Sequence, residues 1–494
     1  MKFHTLKKAF AFVLILTMVF SSSLTVFAAE TSTQIKVQLN GEMIDFTDAA
    51  PKMVNSRVMI PFRAILEKLD ATVQYDQEKE MVTAKLGDRN ISFAVGNTDL
   101  KVTTGEQTES KKMDVAPFVD QKNDRTYVST RSIAEAFGYS VGWDNANKAV
   151  IIIDFDKIFK NADKDFSYLS MPYAVEYDSE KTYKTTGTLD GNVKIASPLD
   201  AKQAMNVGFS GRLAALQQRM NADMTMNMAL DLDALFKSQD MTEEEKAALA
   251  PMKDALKNIE MQIKMSDSGI MYIKCPMLSN VMGSLGQKVE ADTWYKMDMN
   301  AMYEEMGMDF QSIMNMSKGF SGNMNLSELL TKFISGISAD FTVDTYKDVN
   351  TTYALAKELA GDAAFKTVGN THTLTIDKNA LNTVLDKKLG LSKEALKELQ
   401  ESDFSCTIQL NELDGKIKDT KVKFSINSKD ISMDLDVSGD ALSSVCNVVM
   451  SIPNTMEMTM NMKAESKVST EKVDTTIPKG ANVVDYMKTF EGLN

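Results

Sequence analysis

Histidine is almost missing from this chain. His4 and His372 are the two in 494 residues, and His4 falls in an N-terminal segment that the sequence marks for removal. A histidine-clustered metal centre cannot be assembled from one imidazole, and a Ser-His-Asp or Cys-His site needs a partnered one. His372 stands in Thr371-His-Thr-Leu-Thr-Ile376, an alternating stretch that predicts a strand with the ring at a solvated or edge position. Cysteine is scarce too. Cys275, Cys406 and Cys446 contain no C-x-x-C pair, which excludes a zinc ribbon and a dithiol redox motif. An odd number permits at most one disulfide; Cys406 and Cys446 pair if their strands are neighbours, and otherwise all three are free, buried thiols.

Positive charge is short. The formal net charge is −13, and it becomes −16 once Lys2, Lys7 and Lys8 leave with the N-terminal segment. Such a surface repels phosphate backbones and is not drawn to anionic lipid, so no nucleic-acid partner is expected. No phosphate-cradling P-loop and no dinucleotide glycine fingerprint is present. Asp434-Leu-Asp-Val-Ser-Gly439 imitates a calcium loop, but its twelfth position is Val445 rather than Glu. Ser469-Thr-Glu-Lys472 matches S-x-x-K without its S-D-N and K-T-G companions. These absences predict no catalytic residues, no metal and no cofactor. A pair of carboxylates suited to glycoside hydrolysis stays open, because 68 acidic residues always contain pairs able to meet.

Long apolar runs are confined to one place. Lys2, Lys7 and Lys8 precede the run Ala9 to Phe20, and Val26-Phe27-Ala28 follows as a small-residue cleavage site. That order predicts a secretory signal peptide over 1–28, too short to serve as a stable anchor. With no cysteine at the cut and no apolar tail before Asn494, the expected mature protein is secreted or held non-covalently at the cell surface, without a transmembrane segment.

What the chain does have is a duplication. Arg57-Val-Met-Ile-Pro-Phe-Arg63, Ile65, Glu67, Val73, Tyr75-Asp76 and Val82 recur 68 residues later as Arg125-Thr-Tyr-Val-Ser-Thr-Arg131, Ile133, Glu135, Val141, Trp143-Asp144 and Val150. Each copy predicts strand, helix, strand, strand, with Gly138 as a helix-ending glycine and Asp76 or Asp144 opening a hairpin turn. Over about 35–155 these residues resemble the copper amine oxidase N-terminal, or stalk, domain, common in secreted proteins of Gram-positive bacteria. The resemblance implies a small α+β module without catalytic residues, acting as a spacer or contacting cell wall or protein partners. The second copy departs by Ser129 in place of Pro61.

A linker is expected over 156–185, after a duplicated domain at 33–155. The remainder, 186–494, is rich in methionine and built from long alternating stretches. Met224, Met226 and Met228 share one face of a predicted strand, and Met456, Met458 and Met460 share another. Further strands are predicted at 261–265, 270–275, 294–297, 422–426 and 431–437, with helices at 242–257, within 299–333 and at 377–388. The fold class is therefore α+β: a small duplicated module, then a large curved antiparallel sheet with helices on one face. That layout resembles the lipoprotein-carrier half-barrels of the LolA/LppX type, though the lipid-bearing cysteine of that group is absent. Three readings of the methionines stand open. They fill an ordinary core, they line an adaptable wall for a hydrophobic or lipid-like ligand, or Met-x-Met thioethers capture copper(I). The favoured expectation is non-catalytic binding of such a ligand by the six named methionines. The alternative is a structural or adhesive envelope protein.

Overall fold

The computed structural model describes residues 34–196, 204–231, 242–244, 247, 256–277, 290–305, 325–336, 341–385 and 403–486. The signal-peptide segment and most of the helix predicted at 242–257 lie outside the described residues. The described chain divides into two compact units. One comprises the described part of Thr17–Asn161 with Leu330–Ala354, and the other Ala162–Leu329 with Leu355–Asn494.

The first unit holds β1 (Lys36–Leu39), β2 (Glu42–Met43), β3 (Lys52–Val54), β4 (Arg57–Pro61), β5 (Thr72–Asp76), β6 (Met81–Leu86), β7 (Arg89–Ala94), β8 (Asp99–Thr104), β9 (Gln107–Lys112), β10 (Phe118–Asp120), β11 (Arg125–Ser129), β12 (Ser140–Asp144) and β13 (Ala149–Ile153). They form three sheets, β12-β13-β1-β2, β10-β11-β4-β3 and β5-β6-β7-β8-β9. The duplication is realised element by element. β4 and β11, the helices Phe62–Lys68 and Thr130–Ala136, and β5 and β12 are each displaced by 68 residues. β4 pairs antiparallel with β11, and Ile60 lies opposite Val128, its own equivalent. The two copies therefore meet on a local two-fold axis. Reciprocal ion pairs cross that axis, Arg57 to Asp114 and its equivalent Arg125 to Asp48.

Equivalent backbone strain recurs as well. Left-handed φ angles are found at Ser56 and Asp124, at Asp70 and Gly138, and at Glu80 and Lys148. Both helices end in the same way. Asp70 N–H donates to Glu67 O and Ala71 N–H to Leu66 O, as Gly138 N–H does to Glu135 O and Tyr139 N–H to Ala134 O. These paired bonds make a Schellman cap, which needs a left-handed residue after the helix. Ser129, where the copies differ, caps its helix by accepting from Ser132 N–H (3.3 Å), while Pro61 caps without a side-chain bond. Leu66, Ile65, Ile133, Ala134, Val82 and Val150 pack from both copies into one core, so neither copy buries its helix alone.

A segment remote in sequence completes this unit. Val343 N–H donates to Asp144 Oδ2 (3.1 Å), and Gln38 Nε2 donates to Val343 O (2.9 Å). The Phe341 ring meets Phe155 edge-on at 6.0 Å. The expected linker contains three short helices, Phe155–Phe159, Ala162–Asp165 and Ser167–Ser170.

The second unit is built on one 14-stranded sheet. Its strands are β14 (Thr182–Ala196), β15 (Ala204–Gln218), β16 (Asn221–Asp231), β17 (Ile259–Met265), β18 (Ile270–Lys274), β19 (Trp294–Asp298), β20 (Lys366–Val368), β21 (Thr371–Asp377), β22 (Asp403–Leu413), β23 (Lys416–Asn427), β24 (Ser432–Gly439), β25 (Ser443–Ile452), β26 (Met456–Ser469) and β27 (Val483–Asp485). The order is β20-β21-β22-β23-β24-β25-β26-β14-β15-β16-β17-β18-β19-β27. Two sequential antiparallel meanders thus lie side by side, joined where β26 meets β14, and β27 adds a parallel edge to β19. Helices Met299–Glu305 and Lys378–Leu385 fall within the predicted helical regions, and Leu326–Gly336, which begins in this unit, runs three residues beyond the predicted 299–333. Asp377 starts the Lys378–Leu385 helix, its carboxylate accepting from Ala380 N–H (2.8 Å).

Candidate functional site

Alternation along each strand sends every second side chain to one face, and residues directly opposite on antiparallel neighbours share a face. In this sheet the registers align those faces across ten strands, the β22–β23 pair shifting register only between Asn411 and Glu412. Ile259, Met228, Gly211, Leu189, Met462, Cys446, Val437, Val422, Ile408 and Leu374 lie opposite one another in succession from β17 to β21. One level along run Leu230, Phe209, Gly191, Met460, Val448, Leu435, Phe424, Cys406 and Ile376. The opposite face is polar and carries cross-strand ion pairs such as Lys194–Glu457 (3.3 Å), Lys423–Asp436 (3.2 Å) and Lys264–Asp223 (3.1 Å).

All six predicted methionines fall on the apolar face. Met224, Met226 and Met228 project from β16, and Met456, Met458 and Met460 from β26. They do not form one cluster. β14 and β15 lie between, so the two groups stand three strand spacings apart, about 14 Å. Met228 is level with Met462, and Met224 and Met226 run away from Met456, Met458 and Met460. All six are half-buried, and Met462 is 41% exposed. Towards β21 and β22 the same face closes over, with Leu374, Ile408, Leu410 and Cys406 buried.

Register also brings together thioethers that no local pattern signals. Met265, Met271 and Met297 lie opposite one another on β17, β18 and β19. Met433, Met450 and Met458 do the same on β24, β25 and β26, and Met226 faces Met261. The cysteines do not pair. Two strands separate Cys406 on β22 from Cys446 on β25, and all three thiols are free. Burial pushes the Cys406 thiol up to about 11. The Cys446 thiol is raised by burial and by the Asp436 charge.

His372 is a correction. It is buried, 4% exposed, one strand in from the sheet edge, rather than solvated. Its Nε2 lies 2.8 Å from Glu412 Oε2 and its Nδ1 2.9 Å from Thr367 Oγ1, and Tyr168 stacks on the ring with centroids 4.1 Å apart. Strand alternation alone gives no sign of the tyrosine that covers the ring.

The six methionines line neither of the following cavities. One, about 450 Å³, lies on the second unit's sheet beside Thr186, Arg212 and Lys463. The other, about 1020 Å³, lies in the first unit. Among the described residues no group of three or more His, Cys, Asp or Glu side chains is placed to hold a metal ion, and no helix is long and apolar enough to cross a membrane.

Comparison with known proteins matches residues 38–152 to the family model of the copper amine oxidase N-terminal domain. The match covers that non-catalytic N-terminal domain and not the catalytic domain of those oxidases. No curated protein matches the chain.

Proposed function

We propose that this is a non-catalytic exported protein whose second unit binds a hydrophobic, lipid-like ligand against its methionine-bearing sheet face. The observation that carries the reading is that face itself: apolar over ten aligned strands, half-open in the middle, and closed towards β21 and β22 and again at Ile259 and Tyr295. Contiguous exposed apolar surface beyond a few hundred Å² marks binding surfaces in soluble proteins. Unbranched thioethers suit a ligand of variable shape, since they re-pack at little cost. Each methylene of an acyl chain laid on such a face contributes about 0.8 kcal/mol. The site is an open wall in this reading, and the acyl chain runs across the strands from Met460 towards Met226.

Native mass spectrometry of the purified protein, with solvent extraction of the same sample, tests it. A bound mass released as lipid is the expected result, and Met226→Glu with Met460→Glu should abolish it while preserving the circular dichroism spectrum. A protein that carries no extractable lipid and takes up none from micelles rules the reading out. The second reading, a structural or adhesive envelope protein, is favoured by one observation: the first unit carries a cavity of about 1020 Å³.

A further inference from the structure

That cavity is more than a by-product of the duplication. It lies where Arg131, Trp143, Asn145 and Lys148 of the second copy meet Met53 and Arg57 of the first. Three cations at one groove run against a chain of net charge −13. Arg57 is paired with Asp114, and Arg131 lies 3.6 Å from Glu135. Lys148 is held differently. Its Nζ donates to Asn145 Oδ1 at 2.8 Å, so a neutral partner orients the ammonium without cancelling its charge.

The first copy supplies an internal control. The positions equivalent to Trp143, Asn145 and Lys148 are Tyr75, Gln77 and Glu80. Glu80 and Lys148 share the same left-handed backbone, φ 47° and 50°. The scaffold therefore accepts either charge at this turn, and the second copy alone combines an indole with an ammonium. Packing does not require that combination.

We propose that this groove binds an acidic sugar oligomer. The half-buried indole of Trp143, with exposed Met53 nearby, offers an apolar wall for the C–H face of a sugar ring. Lys148 meets the carboxylate or phosphate, and Asn145 accepts from or donates to ring hydroxyls. A volume of about 1020 Å³ stands at the upper end of the ~300–1,000 Å³ common for small-molecule sites, which suits more than one ring.

Isothermal titration of the full chain tests this with three probes: a galacturonate oligomer, a hexose phosphate oligomer and a neutral glucose oligomer of matched length. Binding of either acidic probe, at least tenfold tighter than the neutral one and weakening with salt, is expected, and the tighter of the two identifies the acid group. The copy-one residues provide variants that this fold already tolerates. Lys148→Glu should weaken acidic binding by tenfold or more, and Trp143→Tyr should weaken both acidic and neutral binding. Equal affinity for acidic and neutral oligomers, no binding of either acidic probe, or undiminished binding by Lys148→Glu overturns the proposal. None of these outcomes bears on the methionine face, whose test reads extracted lipid.

Discussion

Replacing Asp70 by glycine should stabilise the first unit. Asp70 follows the Phe62–Lys68 helix with φ 59°, in the place that Gly138 fills in the second copy with φ 90°. The left-handed region costs an L-residue about 1–2 kcal/mol, less for Asp with its short polar side chain. Glycine removes that cost and returns roughly 0.5–1 kcal/mol of extra chain entropy in the unfolded state. The balance favours Asp70→Gly by about 0.5–1 kcal/mol. Nothing else is forfeited, because Asp70 is exposed and its side chain makes no hydrogen bond or ion pair among the described residues. Hydrogen exchange of the full chain, read on peptides covering residues 57–94, isolates the effect in this unit. Slower exchange in Asp70→Gly is the expected outcome. Faster or unchanged exchange would refute the argument that strain at this cap is relieved by glycine.

The reverse change, Gly138→Ala, should cost about 1–2 kcal/mol; its Cβ would stand 2.6 Å from the Arg89 guanidinium, and urea unfolding followed by Trp143 fluorescence measures the loss. Glu412→Ala should destabilise the second unit by about 1–3 kcal/mol, since it leaves the buried His372 Nε2 without its acceptor, and a thermal midpoint no lower than wild type would contradict this. The Cys406 thiol, raised by burial to about 11, contributes stability that is fully present below the unfolded thiol's value near 9. That contribution is lost as pH rises from about 9 to about 11, and roughly 2–3 kcal/mol disappears over this window. Cys406→Ala should flatten the alkaline limb of a stability–pH curve, and native thiol labelling at pH 8 should modify Cys446 ahead of Cys406.

Much of the first unit was legible because duplication leaves matched residues: Arg57 and Arg125, Ile65 and Ile133, Tyr75-Asp76 and Trp143-Asp144 delimit elements that form as predicted. The axis between the copies was not legible. It depends on Ile60 pairing with Val128, and a repeat does not state how its copies face each other. In the second unit, period-two alternation placed all six methionines on strands and on the correct side of each strand. It could not show that both strands turn the same side to one face, nor that β14 and β15 intervene, because register is a property of pairs. The Met265–Met271–Met297 and Met433–Met450–Met458 rows escaped notice for the same reason. Docking of Phe341 and Val343 onto the first unit crosses some two hundred residues and has no local signature. His372 was misplaced because a strand pattern reports which side a residue takes and not what packs on it.

The join between β26 and β14 has a temporal consequence. Thr182 lies opposite Ser469 and Ile195 opposite Met456, so the middle of the sheet is made from its first and last long strands. A chain that emerges N-terminus first must hold the β14–β19 meander with one flank unpaired until nearly all of the protein has appeared. Closing that loop is slow, and the waiting edge is open to pairing with other chains. The finished sheet ends instead in strands of three residues, Lys366–Val368 and Val483–Asp485, which offer little to a passing strand. Aggregation risk is thus concentrated in the interval before residues 456–469 arrive, and a truncation that removes them would leave that interval permanent.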